Sequence, residues 1–168
     1  MVTHYAFLLT FPAIMAFAGS IDLLTMTIPN RVSLALVAAF PVAAALIGMD
    51  WTTFASHLGA GALMLVVGIG MFARGWLGGG DAKLLAAAAL WLGFEHLPGY
   101  LLLVAVAGGV LALLVLSYRS YVPPAWMLGQ SWAMRLHDRK VGIPYGIALA
   151  AAALWIYPST PWFTSFAA

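Results

Sequence analysis

Five acidic side chains, Asp22, Asp50, Asp81, Glu95 and Asp138, stand in a chain of 168 residues that is 64% hydrophobic and only 7% charged. A carboxylate in apolar surroundings is costly and needs a reason. Two of the five occupy unusual places: Asp22 closes the first long apolar run, and Asp81 follows three glycines, Gly78, Gly79 and Gly80. Two carboxyls that share one proton supply both a base to activate water and an acid to protonate a departing amide nitrogen. Such a pair titrates as a unit, in two steps. The chemistry on offer is peptide-bond hydrolysis with no covalent enzyme intermediate.

Each of these residues also has a plainer account. Asp22 reads as an interfacial residue ending its helix, with Ile28-Pro29-Asn30 starting the next, because proline is favoured near helix starts. Gly78 to Gly80 read either as a turn with Asp81 capping the following helix, or as backbone open to another chain. An extended substrate would then pair with it like an added strand. Lys83 either tunes the pair or snorkels to lipid head groups. Pro29 and Pro144 hold neighbouring helix ends open, or simply punctuate the spans.

Asp50, just before Trp51-Thr52-Thr53, has the form of an N-cap, and Glu95 that of a residue solvating a span end. Asp138, between His137 and Arg139, reads as a solvated ion pair. His4, His57, His96 and His137 lack the i, i+4 spacing of a metal site on one helix and read as interface or loop residues. The chain has no cysteine, hence no disulfide, thiolate nucleophile or Cys-type zinc site; neither metal nor cofactor is expected. A net charge of +2 without a Lys/Arg run offers no nucleic-acid surface.

The elements that must position the two aspartates are apolar runs. A membrane span needs about 20 mostly apolar residues, and six windows come near it: His4 to Leu24, Val32 to Met49, Ser56 to Ala73, Lys83 to Phe94, Leu97 to Tyr118 and Gly142 to Trp162. Continuous apolarity predicts helices rather than the alternating strands of a barrel. The expected fold is a single all-α integral membrane unit over residues 1–168, a bundle of about six transmembrane helices. Ala16-Phe17-Ala18 resembles a signal-peptide cleavage site, but Met1 to Tyr5 lack the positive charge such a segment needs.

All seven basic residues, Arg31, Arg74, Lys83, Arg119, Arg135, Arg139 and Lys140, fall in alternate connections. The positive-inside rule puts those connections in the cytoplasm and both termini outside it. Asp22 and Asp81 then meet at the cytoplasmic membrane boundary, with Asp50 and Glu95 on the opposite side. The long connection from Arg119 to Val141 is polar enough for water, although Trp126, Met127, Trp132 and Met134 suit a bilayer surface equally well. Small-residue stretches such as Gly59-Ala60-Gly61 and Ala107-Gly108-Gly109 permit close helix packing and leave the oligomeric state open.

In these residues the chain resembles the type IV prepilin peptidases, a branch of the intramembrane aspartic proteases that share a Gly-x-Gly-Asp motif. Gly78-Gly79-Gly80-Asp81 matches it and is followed by Ala82-Lys83-Leu84. Asp22 resembles the first family aspartate, being followed by a short spacer and Ile28-Pro29-Asn30; Ile143-Pro144-Tyr145-Gly146 is a third match. The resemblance implies an aspartic endopeptidase of the bacterial inner membrane, with Asp22 and Asp81 catalytic and the active site at the cytoplasmic face. Gly78, Gly79, Gly80, Lys83, Pro29, Asn30, Pro144, Tyr145 and Gly146 would support it.

The implied partners are a prepilin or pseudopilin substrate and the lipid bilayer. The short form serving tight-adherence (Flp) pili is the most similar. Larger relatives carry a cysteine-rich segment and also methylate the new amino terminus, which the resemblance does not extend to here. The spacer Leu23 to Thr27 also lacks the basic residues common in the family. The rival readings are an ion- or proton-coupled transporter or channel, a cation site short of oxygen ligands, and a purely structural membrane subunit.

Overall fold

A computed structural model describes residues 2–167, with side chains for 9–124 and 126–164. The described residues are helical throughout, with no strand: α1 Val2–Thr25, α2 Asn30–Leu46, α3 Trp51–Ala73, α4 Gly79–Tyr118, α5 Ser131–His137, α6 Gly146–Ile156 and α7 Pro161–Ala167. α3 and α4 are long and apolar enough to cross a membrane; much of α3 and of the second leg of α4 faces outward, whereas Leu84 to Leu92 of the first leg are buried.

The 40 residues of α4 are two legs, not one rod. Gly93 interrupts it with φ 65° and ψ 176°. A straight helix from Asp81 to Arg119 would separate them by about 57 Å at 1.5 Å per residue. Instead, Arg119 donates to the carbonyls of Val141 and Gly142 at 2.9 and 3.0 Å, and those two residues line a cavity together with Asp81. The chain therefore doubles back at Gly93, beside the Glu95-His96 position where the sequence predicts the fourth window to give way to the fifth.

That reversal frees carbonyls in the last turn of the first leg, as any helix end does. Two side chains take them up. His57 Nδ1 lies 2.8 Å from the Leu90 carbonyl and so carries the proton, and the Trp162 indole donates to the Trp91 carbonyl. Phe40, His57, Trp91 and Trp162 contact one another in a buried aromatic cluster at this end. His57 is therefore a core residue, not the interface or loop residue its isolated position suggests. His4 falls outside the described side chains.

Helix packing relies on small residues. α3 lies along the first leg of α4, Gly61 against Leu90 and Gly68 against Ala82; α1 lies on α6 through Gly19 and Ala150. Ala16 to Ala18 thus sit within a packed helix, with Ala18 fully buried. The sixth window divides: α6 stops at Ile156, a 3-10 turn covers Tyr157–Ser159, and α7 follows. Pro158 and Pro161 account for the break, since proline cannot donate to a helix ladder.

Asp50 caps α3, its Oδ1 accepting from the Thr52 and Thr53 amides at 2.9 and 3.0 Å and its Oδ2 from the Thr53 hydroxyl. The Thr53 hydroxyl and backbone bonds hold its carboxyl below the usual carboxylate range. Asp138 makes a local backbone contact where an ion pair is expected, accepting from the Lys140 amide at 2.9 Å. The connection after Arg119 contains a 3-10 turn, Ala125–Met127, and the short α5.

Candidate active site

Asp22 lies one turn from the end of α1 and is 4% exposed. The helix ends just beyond it, where Met26 takes φ 57° and donates its N–H to the Asp22 carbonyl at 2.7 Å. A positive φ at a non-glycine residue is strained and marks a constrained place. Met26 then turns the chain so that Ile28 packs beneath the start of α4.

Asp81 reaches the same place from α4. Gly78 is the extended N-cap residue of that helix, so Asp81 is its third residue and not the cap. Its carboxylate turns back to the Gly78 backbone N–H, the acidic half of a capping box. Gly79 and Gly80 are helical, so only Gly78 offers extended backbone. The strand-pairing surface expected over all three glycines is not formed.

The three glycines make room. A Cβ on Gly80 would come within 3.0 Å of the Ile28 Cβ, one on Gly79 within 3.3 Å of the Phe72 ring, and one on Gly78 within 2.8 Å of Asp81 Oδ2. This is why the α4 N-terminus can lie directly on Ile28, beside Asp22.

The third wall comes from the far end of the sequence. Gly146, the first residue of α6, donates its N–H to Asp22 Oδ2 at 2.8 Å and also faces Asp81. A Cβ there would lie 2.7 Å from that carboxylate oxygen and 2.8 Å from Ile28 Cδ1. A helix N-terminus is a natural seat for negative charge, and here it is aimed at the pair. Asp81 Oδ1 is buried without a hydrogen-bond partner, an acceptor that a proton or a water would satisfy.

Two cavities open on the aspartates. One, of about 400 Å³, is bounded by Asp22, Asp81, Trp76, Leu77, Pro144 and Tyr145, among others. The other, of about 260 Å³, lies against Met26, Ile28 and Gly78 to Gly80. The roof of the first is tied down by arginines. Arg119 donates to the carbonyls of Leu136, Val141 and Gly142, and Arg135 donates to the Leu24 carbonyl.

The structure thus brings Asp22, Asp81, Gly78, Gly79, Gly80, Pro144, Tyr145 and Gly146 together around one cleft. Pro29, Asn30 and Lys83 stand apart from it: residues two apart on a helix face different ways, and Lys83 Nζ donates to Asn30 Oδ1 at 2.8 Å on the side away from the cavities. Met26, Trp76, Leu77 and the arginine clamp have no motif to announce them. Met26 and Leu77 sit only a few residues from the motif aspartates, and that proximity is their sole sequence signal. Among the described residues no three His, Asp or Glu side chains converge as a metal site would require.

The basic residues gather at this same end. Arg135 reaches Leu24, Lys83 reaches Asn30 next to Arg31, and Arg74 lies over Trp76. Arg119, Arg139 and Lys140 adjoin Val141. At the other end Glu95 lines a cavity beside His57 and Gly93, and Asp50 bonds Thr52 and Thr53, which line it too.

A family model described as the type IV leader peptidase family matches residues 9–113. The match takes in Asp22 and Asp81 and stops short of Ile143 to Gly146. Neither the curated proteins nor the solved structures yield a match. With the family model covering well over half of the 168 residues, the chain belongs to the type IV leader peptidase family and is a protease.

Proposed function

We propose that this protein is a membrane-embedded aspartic endopeptidase that removes the leader peptide of prepilin or pseudopilin substrates, using Asp22 and Asp81 as its catalytic pair. The observation that carries this reading is the shared cleft: two carboxylates 59 positions apart in sequence line the same two cavities, beneath the Gly146 amide.

The pair holds one proton between its two carboxyls. The ionised member takes a proton from water as the oxygen adds to the scissile carbonyl carbon, while the protonated member hydrogen-bonds the carbonyl oxygen. Collapse of the tetrahedral intermediate breaks the carbon–nitrogen bond, and the departing nitrogen takes a proton from the pair.

The protein crosses the bacterial inner membrane about six times, through α1, α2, α3, the two legs of α4, and α6 with its following turn. Outward-facing apolar side chains along α3 and the second leg of α4, such as Val66, Ile69, Leu102 and Leu113, suit lipid and not water. Seven basic residues at the Asp22 and Asp81 end favour the cytoplasmic face for the cleft, with both termini on the other side.

The test is leader removal from a prepilin substrate in membranes. Asp22→Asn and Asp81→Asn should each stop it while the protein remains inserted. Processing at the normal rate by either variant would end the paired-carboxyl mechanism, and loss of activity on chelation would favour a metal-dependent one.

A further inference from the structure

A groove of about 390 Å³ runs along the outside of the bundle between α2, α3 and the first leg of α4, separate from the two cavities at the aspartates. Its chemistry changes with depth. At the mouth, on the basic end, Lys83 Nζ donates to Asn30 Oδ1 and makes no ion pair among the described residues. Ser33, one helical turn deeper on α2, lines the groove, is 6% exposed, and its hydroxyl has no hydrogen-bond partner. Below it the walls are apolar, formed by Val37, Leu58 and Leu90 among others.

A buried hydroxyl without a partner costs stability unless something in the groove accepts from it. A cation at a membrane boundary attracts anionic lipid. A glycerophospholipid offers the matching groups in the same order: phosphate, then ester carbonyls a few ångströms below, then hydrocarbon.

A peptide helix fits less well. Its backbone N–H and C=O groups are already paired with one another, so it offers no free acceptor to the Ser33 hydroxyl.

We propose that this groove binds one anionic glycerophospholipid, with its phosphate at Lys83 and Asn30, an ester carbonyl on the Ser33 hydroxyl, and an acyl chain between Leu58 and Leu90. The site rests on the membrane-spanning reading but not on the peptidase chemistry. Because it lies on the opposite side of the α4 N-terminus from Asp81, lipid held there would also buttress the helix that carries the second aspartate.

Native mass spectrometry of the full chain, released from vesicles of equal phosphatidylglycerol and phosphatidylethanolamine content, tests it without any substrate present. Wild type should retain one phosphatidylglycerol in preference to phosphatidylethanolamine. Lys83→Gln should cut that preference about fivefold, the worth of one lysine near a lipid surface. Ala62→Trp, on the exposed lip of the groove, should abolish retention of either lipid without disturbing the core.

Equal retention of the two lipids by wild type, or undiminished retention by Ala62→Trp, would overturn the proposal. So would crosslinking of an apolar substrate segment to the groove at a site that lipid does not protect. A chain that bound lipid in this way but cut no prepilin would count against the peptidase reading alone.

Discussion

The Gly146 amide donates to the Asp22 carboxylate across 124 positions of sequence. This contact joins the N-terminus of α6 to the end of α1 at the point where α4 delivers Asp81. It makes a backbone group from the third motif part of the site, although Ile143 to Gly146 lie outside the family match. It also makes the size of residue 146 a matter of chemistry.

Replacing Gly146 by alanine sets a methyl 2.7 Å from Asp22 Oδ2 and must move the carboxylate. A displacement of an ångström in a catalytic group costs about a hundredfold in rate, and overpacking costs about 1–3 kcal/mol of stability. Leader removal by Gly146→Ala should therefore fall by one to two orders of magnitude, in kcat more than in KM. Single-turnover rates on reconstituted protein would measure it, and an unchanged kcat would show the amide to be a bystander.

For the aspartates themselves, a positioned general acid or base contributes about 10²–10⁴-fold. Asp22→Asn, Asp81→Asn and the double variant should therefore lose similar amounts, because either change dissolves the pair. The comparison is made by immunoblot of processed and unprocessed substrate. Additive losses in the double variant would mean that the two residues act independently.

Arg119 touches neither aspartate but fixes three carbonyls of the segment roofing the larger cavity. Arg119→Gln removes charge-assisted bonds worth about 1.5–3 kcal/mol each at most and should loosen residues 136–142. Faster amide exchange there, with a rise in KM for the substrate, is the expected result. Exchange confined to the substituted position would show the roof to be held by other contacts.

Gly93→Ala combines a positive φ that disfavours a side chain with a Cβ 2.7 Å from the His57 ring. The expected cost is about 2–4 kcal/mol, read as a lowered midpoint in a thermal unfolding scan in detergent. Adding His57→Ala should restore the part due to overlap and leave the part due to torsion, so the two changes should be less than additive.

Both aspartates, the three glycines and the Pro144-Tyr145-Gly146 corner were legible in the sequence because each belongs to a short motif. Other features were not, for reasons particular to each. Glycine serves extended backbone and tight packing alike, so nothing local says that Gly80 is helical and pressed on Ile28. His57 stands alone in an apolar run, and its partner, 33 residues on, is the Leu90 carbonyl, freed only because α4 reverses at Gly93. Lys83 reads as a neighbour of Asp81 in one dimension, yet the helix turns it to Asn30. Asp81 could not be told from a cap without knowing that Gly78 takes that position.

The doubled-back helix places Asp81 at the far end of the first leg of α4, with Gly93 as the geometric pivot of any tilt of that leg. Asp81 lies 12 residues from the pivot, about 18 Å along the axis, so a swing of about 5° shifts it by roughly 1.5 Å. That is enough to spoil or restore the alignment of two carboxyls. The buried aromatic cluster around His57, Trp91 and Trp162, at the opposite end of that leg, therefore helps to set where Asp81 lies, together with the α3 contacts at Gly61 and Gly68.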